Sequence, residues 1–156
     1  MDTTAVILIV VSLVLVASVV GFAWKKSQGR ITRSTAHATA HTTAPEVPRD
    51  LVDSHAVFTL LQFSGPLCSY CAAMRTILGA QVEKNPGVIA HKEVDITDYP
   101  ELTSTLRVTQ TPTTLFVTQG GHVHSRIRGA ATARVVAAEI QHALEARKAQ
   151  SDGYRI

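Results

Sequence analysis

Two cysteines, Cys68 and Cys71, stand where an apolar strand pattern gives way to a helical one, in the run Phe63-Ser64-Gly65-Pro66-Leu67-Cys68-Ser69-Tyr70-Cys71. No other feature limits the fold as much. Two thiols at this spacing, on the first turn of a helix, can form a reversible disulfide. The partial positive charge of a helix N-terminus favours the thiolate, which is the reactive species. The chain has only these 2 cysteines, too few for the disulfide framework of a small secreted scaffold. Beside a β-α-β pattern, a Cys-x-x-Cys pair reads as a redox motif. Thiol–disulfide exchange is therefore the chemistry to which the sequence points.

The rest of the 156 residues divides by composition. Ala5 to Trp24 is almost wholly Ala, Val, Ile and Leu, interrupted by Ser12, Ser18 and Gly21, and carries no charge. Twenty helical residues reach about 30 Å, the thickness of a bilayer core. Trp24 closes the run, where an interfacial aromatic is favoured. A cleaved signal peptide fits less well, because Asp2 and no Lys or Arg precedes the run. The expectation is a retained transmembrane anchor over residues 1–24, with membrane contact through 5–24. Lys25, Lys26, Arg30 and Arg33 follow it. By the positive-inside rule they place the soluble part in the cytoplasm, at the cell membrane, with the extracytoplasmic side as the alternative. The same cations would attract anionic headgroups. A net charge of +3 is too small to argue for nucleic acid.

Residues 25–48 read as a linker, basic at first and then rich in Thr, Ala and Pro. Ile31 to Pro48 has no hydrophobic periodicity and ends in Pro45 and Pro48, the mark of a flexible tether. His37 and His41 have an i,i+4 spacing that would suit a metal on a helix. No helix signal and no third ligand accompanies them.

A soluble domain is expected over 49–150, with a tail at 151–156. Val57 to Phe63 is a buried strand pattern. Gly65-Pro66 breaks it, and helical character begins at Cys71. Asn85-Pro86-Gly87 marks a turn. Val88 to Val94 reads as a second strand, parallel to the first through a β-α-β crossover. Pro100 to Leu106 suits a short helix. Thr113 to Thr118 is a third strand, and Gly120-Gly121 turns the chain into a fourth at His122 to Arg128. Ala131 to Arg147 closes the domain as a helix with the stripe Val135, Val136, Ile140 and Leu144, flanked by Ala138 and Ala143.

This β-α-β-α-β-β-α order, with Cys-x-x-Cys opening the first helix, resembles the thioredoxin superfamily over about Val47 to Ala149. The resemblance rests on a combination. It joins the strand Thr59-Leu60-Leu61-Gln62-Phe63, the Cys68-Ser69-Tyr70-Cys71 site, Val94-Asp95, the segment Val108-Thr109-Gln110-Thr111-Pro112-Thr113, and the Gly120-Gly121 hairpin. It implies an α/β fold of three layers, α/β/α, around a mixed central sheet. It also implies a cis peptide at Pro112 facing the disulfide, with Thr111 offering its backbone to the substrate chain in a short β-like pairing. The implied reaction runs in two steps. Cys68 attacks a protein disulfide and Cys71 resolves the mixed disulfide. No cofactor is implied beyond the Cys68–Cys71 couple, but an electron donor is required.

The chain departs from many thioredoxins around the motif. Leu67 replaces a tryptophan, and Ser69-Tyr70 replaces Gly-Pro; a tyrosine before the second cysteine is similar to glutaredoxins. These residues tune the thiolate and the potential. Gln62 falls where many thioredoxins bury an aspartate. It cannot act as a base, so it either redirects proton transfer or simply satisfies a polar core position. Arg75, four residues past Cys71, shares its helix face. Met74 suits core packing. His122 and His124 share a strand face; edge-strand histidines of this kind are usually solvated. Two alternatives accompany the oxidoreductase reading. One is a membrane-bound binding or scaffold module with non-catalytic or regulatory cysteines. The other is a metal site at Cys68 and Cys71, for which two thiolates leave a structural zinc incomplete; no metal is expected.

Overall fold

The computed structural model describes residues 3–27, 30–33 and 46–153. Five strands form one mixed sheet in the order β1-β5-β4-β2-β3: β1 (Arg30–Arg33), β2 (Phe58–Ser64), β3 (Ile89–Asp95), β4 (Thr113–Thr118) and β5 (Val123–Arg128). β2 and β3 run parallel across α2 (Cys71–Lys84), and the β2–β4, β4–β5 and β5–β1 pairs are antiparallel. α3 (Pro100–Thr105) links β3 to β4, and α4 (Ala133–Gly153) follows β5. The parallel pair and the Gly120-Gly121 hairpin follow the sequence pattern, with bounds shifted by a residue or two.

Alternation along the strands sorts side chains into two cores, one on each face of the sheet. Phe58 and Leu60 of β2, Phe116 of β4 and Ile127 of β5 pack under Met74 and Leu78 of α2 and Val136, Ile140 and Ala143 of α4. Leu61, Phe63, Leu115 and Val117 point the other way, onto Val47, Leu51, Val94 and Leu106. The result is the expected α/β/α layering. Within the α4 stripe, Val136 and Ile140 are fully buried, Val135 and Leu144 partly so, and Ala138 is exposed. Helix α4 continues past Arg147 to Gly153, so part of the expected tail is helical.

The expected linker needs a correction. Arg30–Arg33 is a strand, paired with β5 from Arg30↔Arg128 to Arg33↔Ser125. Its Arg33 side chain reaches Glu139 of α4 at 2.7 Å, and Glu139 is completely buried. A tether reading fails here because Arg-Ile-Thr-Arg has only one apolar residue, yet Ile31 packs against the first core. β5 is thus an interior strand over Ser125–Arg128. His37 and His41 lie outside the described residues.

α1 (Thr3–Ser27) is a 25-residue helix. Its side chains are described without a break from Ile7 to Phe22, and all of these are exposed. None joins either apolar core. Among the described residues no helix is long and apolar enough to cross a membrane.

Candidate active site

Cys68 and Cys71 form a disulfide with Cα atoms 5.5 Å apart. The local sequence explains the placement. β2 ends at Ser64, and Gly65-Pro66 turns the chain out of the sheet. The Cys68 amide donates to the Gly65 carbonyl at 3.1 Å, and the Cys71 amide donates to the Cys68 carbonyl at 3.3 Å. Helix α2 starts at Cys71, with Tyr70 as its N-cap and no side-chain capping bond. The expected first-turn position therefore holds for Cys71 alone; Cys68 sits in the preceding turn, in front of the helix N-terminus. Burial separates the thiols further. Cys71 is 4% exposed, whereas Cys68 is half-buried.

Around this turn the surface is apolar and open. Leu67 is 98% exposed and Tyr70 58% exposed, and Ser69 is exposed too. Leu67 thus presents an aliphatic contact where the family often has an aromatic one. The Thr111–Pro112 peptide is cis, as the resemblance implied. A Cβ on Gly65 would lie 3.8 Å from the Thr111 methyl and 3.3 Å from Ile96. These contacts bring the turn before Cys68, the loop after β3 and the entry to β4 together. The Pro112 carbonyl accepts the Gly129 amide at 2.8 Å, which draws the end of β5 to the same edge.

Gln62 lies beneath the site. It is fully buried on β2, and its Nε2 donates to the Cys71 carbonyl oxygen at 3.1 Å. The same Nε2 lies 3.4 Å from Oε1 of Glu93, its register partner on β3. Its Oε1 has no partner, and neither has Oγ1 of Thr114, its register partner on β4. Glu93 in turn forms a two-pronged ion pair with Arg75, whose Nη2 lies 2.9 Å from Oε1. The Arg75 hydrogen bonds hold the Glu93 carboxyl below its ordinary range despite partial burial. Arg75 is therefore a partner of Glu93 rather than a free cation beside the cysteines. Glu93 and Thr114 were missed in the sequence. Only strand register places them beside Gln62, and neither belongs to a recognisable motif.

The histidines separate. His122 lies 3.5 Å from Glu46 in an exposed pair. His124 packs on Phe58 with ring centroids 5.5 Å apart, and burial lowers its pKa. Among the described residues no group of three His, Cys, Asp or Glu side chains could hold a metal.

A mixed α/β sheet with a paired Cys-x-x-Cys before its first domain helix defines a protein built around a dithiol–disulfide couple. Comparison with known families places it. The thioredoxin family model matches residues 39–142, and the chain belongs to that family. None of the curated proteins compared matches it. Among solved structures it is similar to one titled "Structure of a malarial protein", with TM-score 0.51 and 18% identity, over 56% of this chain and 98% of that one. That likeness extends to the fold alone.

Proposed function

We propose that the chain is a membrane-tethered thiol–disulfide oxidoreductase that reduces protein disulfides. The observation that carries this reading is the unequal exposure of two cysteines already joined in one disulfide. Cys68 is the accessible nucleophile and Cys71 the sheltered resolving thiol. The Cys68 thiolate attacks one sulfur of the target disulfide, forming a mixed disulfide and expelling the other target sulfur as a thiolate. Cys71, deprotonated, then attacks Cys68 Sγ. The second target thiolate leaves and the Cys68–Cys71 disulfide forms. The target gains two electrons and, from solvent, two protons. A thiol or dithiol donor must then reduce the pair. Thr111 and Pro112 would align the target chain, and Leu67, Ser69 and Tyr70 tune the exposed thiol.

Tethering draws on the uncharged run Ala5–Trp24, whose described side chains face outward from α1. Only residues 28 and 29 separate α1 from β1. A helix held in a bilayer would therefore keep the domain within about 10 Å of it. Lys25 and Lys26 beyond the run argue for the cytoplasmic side, where a reductant has its use.

The test is a pair of single variants of the reduced full-length chain mixed with a protein disulfide. Cys71→Ser should accumulate a mixed disulfide through Cys68, and Cys68→Ser should accumulate none. Equal trapping by both, or trapping by neither, would sink the assignment. The potential of the couple then gives the direction. A value near or below about −230 mV fits a reductant, and one between about −180 and −120 mV fits an oxidase or isomerase.

A further inference from the structure

Three arginines converge beside the substrate edge, and among the described residues no acid balances them. Arg126 and Arg128 alternate with the buried Ile127 on β5, so both lie on the α3 side of the sheet. Arg107 directly follows the C-cap of α3, at φ 51°, a left-handed conformation that a side chain such as arginine seldom adopts. Arg126 donates from Nη1 to the Leu106 carbonyl at 2.9 Å, which fixes its guanidinium beside Arg107. Burial, together with Arg128 and Arg107, lowers the Arg126 pKa. Among the described residues, none of the three has a carboxylate within 4.0 Å. Arg126 and Arg128 are partly buried and Arg107 is exposed; partly buried like charges without a counter-ion oppose folding. Such an arrangement points to a ligand.

The place of the cluster says which ligand. Arg128 is the register partner of Thr113, the residue after Pro112. The next residue, Gly129, is hydrogen-bonded to the Pro112 carbonyl. From that edge the row runs back along β5 to Arg126, opposite Leu115, and on to Arg107. Alternate residues of an extended chain are about 7 Å apart, on one side of it. A target strand lying along Thr111–Pro112 would carry alternate side chains over this row. Each guanidinium has several donors in a planar fork that suits a carboxylate.

Building on the reading of the site as a reductase of protein disulfides, we propose that Arg107, Arg126 and Arg128 form a specificity surface for targets whose disulfide cysteine is flanked by Asp or Glu. The chemistry would be slowest on targets with Lys or Arg in those places.

The experiment uses the pre-reduced full-length chain in single turnover against two disulfide peptides that differ only in acidic or basic flanks. The acidic peptide should react roughly tenfold faster per unit concentration at low salt, and the ratio should shrink in strong salt. Arg128→Glu should bring the ratio to one or invert it. Arg107→Glu, at an exposed position, serves as a second variant should Arg128→Glu unfold, and should lower the ratio in the same direction. Equal rates for the two peptides, with robust turnover of both, would overturn the specificity surface and leave the reductase reading standing. No turnover of either peptide would remove both. If Arg128→Glu leaves the ratio unchanged but weakens attachment to phosphatidylserine vesicles relative to phosphatidylcholine ones, the row faces lipid headgroups and the proposal is wrong.

Discussion

Gln62 Nε2 donates to the carbonyl oxygen of Cys71 at 3.1 Å. One amide thereby fastens the first residue of α2 to the middle of the sheet. The bond is buried, and the carbonyl is at the N-terminal end of the helix, next to the redox pair. Gln62→Ala removes the donor and leaves a void. The expected cost is about 1–3 kcal/mol, from the lost bond and the void left in the core. Urea unfolding of the oxidised protein measures it. Gln62→Glu keeps the size but places a carboxylate next to Glu93 in a buried position, and should destabilise more at neutral pH than in acid. An unchanged midpoint in both variants would mean that Gln62 carries no structural load.

Two glycines, Gly121 and Gly79, predict opposite outcomes. Gly121 has φ +84°, and a Cβ there would stand 2.7 Å from the Val47 carbonyl oxygen. Its own carbonyl accepts the Val47 amide at 2.9 Å. Gly121→Ala therefore meets a left-handed penalty of about 1–2 kcal/mol plus a backbone clash, and should loosen the segment around Val47. Limited proteolysis near residues 46–48 reads the loosening. Gly79, inside α2, has nothing within 4 Å of the corresponding position. Gly79→Ala should raise stability by about 0.5–1 kcal/mol.

What the sequence made legible was local. The Gly120-Gly121 turn, the Cys68/Cys71 spacing and the apolar run through Phe58 and Phe63 each signal within a few residues. So did Pro112, once the family pattern around it was seen. Contacts set by register were not legible. Glu93 and Thr114 flank Gln62 only because β3 and β4 pair with β2 as they do. β1 was missed for a related reason. Arg30–Arg33 carries no strand signal of its own; it is held by pairing with β5 and by Arg33 reaching Glu139, 106 positions away. Arg75 was placed on the correct helix face, but its partner Glu93 could not be named without the sheet.

Glu93 gives a pH prediction whose sign follows from its depressed pKa. Arg75 hydrogen bonding is the leading cause of that depression. A carboxylate with a lowered folded-state pKa stabilises the fold above its unfolded value, near 4.5, and the contribution fades as pH falls through the folded value. A carboxyl-detected NMR titration of Glu93 should give a midpoint below 4.5 in the native chain. Arg75→Ala should move it upward, with burial then the main influence left. Because Arg75 is highly exposed, the shift should shrink in strong salt. A midpoint indifferent to Arg75 would show that the ion pair does not persist in solution.

Arg33 and Glu139 make the clearest case for β1 as part of the domain. Glu139 is completely buried, while the Arg33 side chain is 47% exposed, and their atoms meet at 2.7 Å. The guanidinium meets Oε2, and Oε1 has no hydrogen-bond partner, so Arg33 is the cation that balances the carboxylate. Arg33→Ala strands a buried carboxylate, and stability at neutral pH should fall by about 1–3 kcal/mol. The double variant Arg33→Leu/Glu139→Leu removes both charges at once and should recover much of that loss, since two apolar groups need no mutual neutralisation. Thermal unfolding of the three proteins under one buffer condition decides it. If Arg33→Ala alone is neutral, β1 is a loose edge and residues 25–48 act as the tether that their composition suggested. If it is destabilising and the double variant is not, the strand is fastened to α4, and α1 is joined to a fixed point on the sheet.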